Sequence, residues 1–205
     1  MALHFLAPND KRLTEIVPAI PKTEVVSDET QKDIDEMLKV AYGNQEEALK
    51  PVLVGLAAPQ IGIMKRIIVV DTGADGRGHV SHLRVFINPE IIWKSPEHGK
   101  WYEGCYSTSN VTGIVSRPRA VRIKAYAPDG REIVEKHAGY VARILQHEVD
   151  HLDGKVFIDL ITDERDLHWV KPEEYPLYRN EKGWGDWKRK CPRAKWDEIK
   201  NKPTA

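Results

Sequence analysis

The stretch ILQHEVDHLDG, residues 144–154, holds His147, Glu148 and His151. On a helix, residues i and i+4 lie one above the other, so His147 and His151 can aim ring nitrogens at a single point. Glu148 projects about 100° away and can stand beside a metal ion without ligating it. This is the HExxH pattern of hydrolytic zinc enzymes. Histidines on a helix surface or at a helix end would leave the same letters. Val141, Ile144, Leu145 and Leu152 put much of this helix in the core, where imidazoles and a carboxylate are costly unless paired or metal-bound.

The helix offers two ligands, so a third comes from elsewhere. Cys105, in WYEGCYS, is the best candidate. A lone free cysteine is more often structural than catalytic. As a thiolate, however, it would complete a Cys-His-His set with one open position for water. Gly104 before it permits an unusual backbone angle or a close approach. Cys191, in KRKCPRAKW, reads as a surface or locally packed residue. A third segment, VGLAAPQIG at residues 54–62, combines Gly55 and the small pair Ala57-Ala58 with Pro59 and Gln60. The small residues let backbone run close to a ligand, Pro59 pushes Ala58 toward extended geometry, and Gln60 offers a neutral amide donor. A tight turn accounts for the glycines and proline but not well for Gln60.

The elements that must position these residues are partly readable. SDETQKDIDEMLKVAY has Ser27 or Asp28 as N-cap and Ile34, Met37, Leu38 and Ala41 at helical spacing, with Gly43 at its end. GNQEEALKP is a polar connection. RIIVVD (66–71) reads as a strand, and LRVFINPEIIW (83–93) as a strand region interrupted at Asn88-Pro89. AVRIKAYA and REIVEKH flank Pro128-Asp129-Gly130 as a hairpin. A second helix spans about Val141 to Leu152, stopped by Gly154. The expected class is α+β, strands around one helix that carries the histidines. Residues 1–165 are expected to form one domain and 166–205 a polar C-terminal extension over its surface.

Composition narrows the classes. The 205 residues are 41% hydrophobic and 30% charged, and Lys+Arg and Asp+Glu balance at 31 each. A globally basic nucleic-acid binder is excluded, and no DNA partner is expected. Two cysteines do not make a disulfide scaffold. No segment approaches the run of about 20 apolar residues that a membrane span needs. The N-terminus lacks a signal or transit pattern, so a cytoplasmic protein is expected, or one of an organelle matrix if a presequence has been removed.

Taken together, GLAAPQ, EGCYS and QHEVDHLDG resemble the three motifs of the peptide deformylases, in the same order and spacing. ARILQHEVDHLDGKVFID is similar to the branch that includes organellar members, and FLAPNDKRL, RIIVVD and INPE also fall where the family has equivalents. The resemblance covers residues 5–165. It implies antiparallel sheets around a central helix with HExxH, and removal of the formyl group from formyl-methionine of nascent polypeptides. It implies a divalent metal on Cys105, His147 and His151, natively Fe2+, with Zn2+, Ni2+ or Co2+ as substitutes. Glu148 would be the general acid/base, and Gln60 with the backbone N–H of Tyr106 would bind the formyl oxygen. Val54, Gly55, Leu56, Trp101, Glu103, Gly104 and Ile144 would line the substrate cleft. The sequence departs from the family at Leu53, where glycine is usual, and at Tyr106, where leucine is usual. Trp101 stands where a smaller residue is common near the methionine pocket, STSNVTG is atypical, and GNQEEALKP is long. A deformylase-like amidase with altered substrate or reduced activity is therefore the alternative. A reading of another class rests on residues 186–205, which carry seven Lys/Arg against three acids with Trp187 and Trp196 interleaved. That pattern suits ribosomal RNA, or else a solvated tail whose tryptophans pack on the domain.

Overall fold

The computed structural model describes residues 5–43, 52–180 and 183–202. The GNQEEALKP connection, beyond Gly43, lies outside them. Helix α1 (Asp28–Tyr42) starts where Ser27 Oγ accepts the Thr30 N–H and ends at Gly43, whose φ of +69° suits a residue without a side chain. A five-stranded antiparallel sheet follows, in the order β1 (Gly55–Ala57), β2 (Ile67–Asp71), β3 (Leu83–Lys94), β6 (Ala120–Tyr126), β7 (Glu132–Ala138). A three-stranded antiparallel sheet joins β4 (His98–Gly104), β5 (Val111–Pro118) and β8 (Leu167–Trp169).

Strand β2 is buried throughout because helices cover both faces of its sheet. Ile67 and Val69 pack with Ile34, Met37 and Ala41 of α1. Ile68 and Val70 pack with Val141, Ile144, Leu145 and Leu152 of helix α2 (Gly139–Leu152). The expected interruption at Asn88-Pro89 is a bulge within β3: Asn88 has φ +50°, and the register to β6 shifts between Ile87 and Glu90. The β6–β7 hairpin turns at Gly130, φ +82°. The end of α2 is held by Arg66, which donates to the Leu152 carbonyl at 3.2 Å and pairs with Asp153 at 2.9 Å. This places a cation where the helix leaves carbonyls unpaired.

The fold is thus α+β with α2 between the sheets, as expected. The segment after residue 165 is polar in composition but well anchored. It supplies β8, the short helices α3 (Tyr175–Tyr178) and α4 (Arg193–Lys200), and the buried residues Leu167, Val170, Tyr178, Cys191 and Trp196. Trp196 is 3% exposed, and the Trp187 indole N–H donates to the Trp169 carbonyl at 3.0 Å. Trp196 is thus buried in the domain, and Trp187 is half-buried and held against it. Among the described residues no helix is long and apolar enough to cross a membrane.

Candidate active site

Three segments converge on one point. Helix α2 presents His147 and His151 one turn apart, with ring centroids 5.1 Å from each other. Cys105 lies just after the end of β4 and caps a 3-10 turn over residues 106–108, its sulfur accepting the Ser107 N–H at 3.4 Å. The Cys105 Sγ lies 3.4 Å from His151 Nε2, and one donor atom from each of the three residues falls within 4.8 Å of the others. The third segment folds as β1 followed by a 3-10 turn (Ala58–Ile61) closed by Gly62, φ +85°. Gln60 is 4% exposed; its Oε1 accepts the Ala57 N–H at 2.7 Å. That bond fixes the amide orientation, so Nε2 donates toward Cys105 Sγ at 3.1 Å.

Burial would raise the Cys105 thiol, but the two neighbouring histidines hold it well below the usual thiol value. Burial would likewise lower His147, while its contacts with Cys105 and Glu103 hold it well above the usual imidazole value. The donors aimed at the sulfur, from Gln60 and Ser107, favour the thiolate, which is the metal-ligating form. Glu148 is 4% exposed, and its Oε2 has no hydrogen-bond partner. Burial, opposed by the two histidines, pushes its carboxyl up to about 7. One thiolate and two imidazoles around a point that an unpaired buried carboxylate oxygen adjoins are a fitting donor set for a divalent metal ion.

A charged cluster orients the first histidine. Glu103 Oε2 accepts from His147 Nδ1 at 2.9 Å, leaving Nε2 for the metal. Arg117 grips Glu103 with Nε and Nη2 at 2.7 and 2.9 Å and reaches Asp150 with Nη1 at 2.7 Å. Arg143 bonds the same carboxylate and the Gly99 and Val115 carbonyls. Burial would raise the Glu103 carboxyl, yet Arg117 and His147 hold it well below the carboxylate range. The resemblance groups Glu103 with substrate-lining residues, but its carboxylate is occupied by two arginines and a histidine, so it positions His147. Arg117, Arg143 and Asp150 are absent from the sequence-based set. Arg143 gives a signal, as a cation at a buried position of α2, and Arg117 another, at an inward position of β5 beyond Val111 and Val115.

The other expected residues fall around this centre. A β-carbon on Gly55 would lie 2.3 Å from Glu148 Oε1 and 2.7 Å from Ile144 Cγ2. The close approach that requires glycine there is to the Glu148 carboxylate and the Ile144 side chain. Val54 is half-buried beside the α2 core. The Leu56 side chain is fully buried on the α1 face, so only its backbone can face the cleft, and Leu53 packs in that same core. Tyr106 does not fold over the site: it is 64% exposed and stacks on Phe5 with centroids 4.6 Å apart. Trp101 packs on Tyr102 and Trp184 at 6.0 and 5.7 Å. Gly104 is exposed immediately before Cys105, and Cys191 is buried among Val111, Phe157 and Trp196, in a cluster that Cys105 also adjoins, but it is not one of the three converging donors.

A family model described as polypeptide deformylase matches residues 3–166. The chain belongs to the peptide deformylase family. It is 42% identical over 138 residues to the peptide deformylase of Natranaerobius thermophilus, covering 67% of this chain and 80% of that one. Against that of Pseudomonas aeruginosa it is 39% identical over 160 residues, covering 78% and 87%. Among solved structures, the Met-Ala-Ser-bound class I type b peptide deformylase from Acinetobacter baumannii is similar, with a TM-score of 0.68 at 30% identity, covering 78% of this chain and 99% of that one. The deformylase match ends at the start of β8, so the rest of the chain, from β8 onward, lies outside it.

Proposed function

We infer that this metallo-hydrolase removes the formyl group from N-terminal formyl-methionine of nascent peptides, releasing formate. The observation that carries the reading is the meeting of Cys105, His147 and His151 with the unpaired Glu148 carboxylate and the fixed Gln60 amide. A divalent ion held by the three ligands would supply Lewis acidity and lower the pKa of a water molecule toward neutrality. The proposed native ion is Fe2+, with Zn2+, Ni2+ and Co2+ also suited to one sulfur and two nitrogen ligands.

The chain's own groups divide the remaining work. Glu148, with its carboxyl near 7, accepts a proton as water attacks the formyl carbon and hands it to the departing amine nitrogen. Gln60 Nε2 and the Tyr106 N–H stabilise the oxyanion. Tyr106 is the first residue of its 3-10 turn, and the first N–H groups of a helical turn have no partner within it. On this reading the close approach of the Gly55 backbone to Glu148 and Ile144 would narrow the cleft so that hydrogen on the acyl carbon is accepted and a methyl group excluded. The substrate is a formyl peptide, in keeping with the Met-Ala-Ser tripeptide bound by the Acinetobacter baumannii relative. The proposed setting is the cytoplasm, or an organelle matrix, where such nascent chains are made. Contact with the ribosome through residues 186–205 would then use exposed cations such as Lys188, Lys195 and Lys202 on RNA phosphates. Glu148→Ala tests the assignment: the variant should keep its metal and fold and lose nearly all release of formate from formyl-Met-Ala-Ser. Full turnover by a metal-replete Glu148→Ala enzyme would reject it.

A further inference from the structure

Beyond the family match, the chain returns to the rim of the site. The Tyr175 hydroxyl lies 3.3 Å from the point that a β-carbon on Gly104 would occupy, next to Cys105. The Arg179 guanidinium sits over the Tyr175 ring, 5.3 Å from its centroid. Arg179 is exposed, and among the described residues no carboxylate pairs with it. Trp184 packs on Tyr102 at 6.3 Å, and Tyr178 meets Tyr102 edge-on at 5.4 Å. Burial raises the phenols of Tyr102 and of Tyr140 on α2, and the charge of Arg179 opposes the rise at both.

Both strands that flank the site are sheet edges, β1 in one sheet and β4 in the other. An extended peptide adds to such an edge through its main chain and advances about 3.3 Å per residue. A peptide whose formyl group sits between Cys105 and Glu148, and whose chain runs along Gly104, brings its next residues to Tyr175 and Arg179.

We propose that Tyr175 and Arg179 form the downstream wall of the substrate cleft and that Arg179 selects peptides with an acidic side chain one or two residues after the methionine. This rests on the deformylase reading of the site. An exposed pair between arginine and a carboxylate is worth a roughly two- to fivefold preference. The test is kcat/KM of the nickel-loaded full chain on amidated formyl-Met-Glu-Ala and formyl-Met-Ala-Glu, each against its lysine counterpart. The expected result is a two- to fivefold preference for glutamate at one position or both. It should vanish in Arg179→Gln, reverse in Arg179→Glu and shrink in about 0.5 M salt, where exposed charges are screened. Equal rates on glutamate and lysine peptides, or a glutamate preference that survives Arg179→Glu, would overturn this selection alone. No hydrolysis of any of these peptides would overturn it together with the deformylase reading.

Discussion

Gly55→Ala adds one methyl group where β1 crosses α2. Its carbon would lie 2.3 Å from Glu148 Oε1, 2.7 Å from Ile144 Cγ2 and 3.0 Å from Glu148 Cδ. Ordinary contact needs about 3.5 Å, so the carboxylate must retreat by about 1 Å or β1 must lift. Glu148 yields first, because its outer oxygen has no hydrogen bond to hold it. A displacement of about 1 Å at a catalytic group costs on the order of 100-fold in rate. Overpacking in a full core costs roughly 1–3 kcal/mol of stability. The metal ligands are not touched. The prediction is therefore a folded enzyme with full metal content, a modestly lower Tm and about 100-fold lower kcat on formyl-Met-Ala-Ser. Metal analysis, thermal unfolding and formate release on the same preparation read the three quantities. Wild-type kcat in Gly55→Ala would refute the close approach, and loss of metal would show that the strain falls on the histidines instead.

Cys105→Ala and His151→Ala should each lose the bound ion, while Cys191→Ser, which is not among the three converging donors, should keep it; equal metal content in Cys105→Ala by elemental analysis would move the third ligand elsewhere. Gln60→Leu removes an oxyanion donor at similar size, so kcat should fall by roughly 10²–10³, and a change confined to KM would make Gln60 a positioning group only. Glu103→Gln leaves buried Arg143 without the carboxylate it bonds and Arg117 with Asp150 alone, which costs about 3–5 kcal/mol and is read by denaturant unfolding; an unchanged midpoint would mean that the cluster contributes nothing. Because the Glu103 carboxyl is depressed in the folded chain from its ordinary 4.5, its stabilisation is complete above that pH and shrinks as pH falls below it. Glu103→Gln should therefore flatten the acid limb of the stability profile, and an identical limb in both proteins would contradict the depressed carboxyl.

The chemistry was legible because its signals are local. HExxH lies within one helix, and the glycines and proline of VGLAAPQIG mark a turn whatever surrounds them. Strands β2, β3, β6 and β7 show as β-branched runs with turn residues between them. Strands β4 and β5 do not, because inward positions that should be apolar hold Glu103 and Arg117, which satisfy each other only once the strands pair. The polarity that hid these strands from a hydrophobic pattern is the polarity that holds His147. Strand β8 is three residues long, and the buried residues of the C-terminal segment, Leu167, Val170, Tyr178, Cys191 and Trp196, follow no helical or strand period. Their burial depends on surfaces supplied by distant segments, which no short window of sequence contains.

The measurement that tests the account most directly is kcat/KM for formyl-Met-Ala-Ser and acetyl-Met-Ala-Ser on one anaerobically prepared, iron- or nickel-loaded sample. In the proposed reading the cleft beside Gly55, whose backbone lies close to Glu148 and Ile144, would admit hydrogen on the acyl carbon and exclude methyl, so the account predicts release of formate and little or no release of acetate. Comparable rates on the two peptides would contradict it and assign the site to a broader amidase.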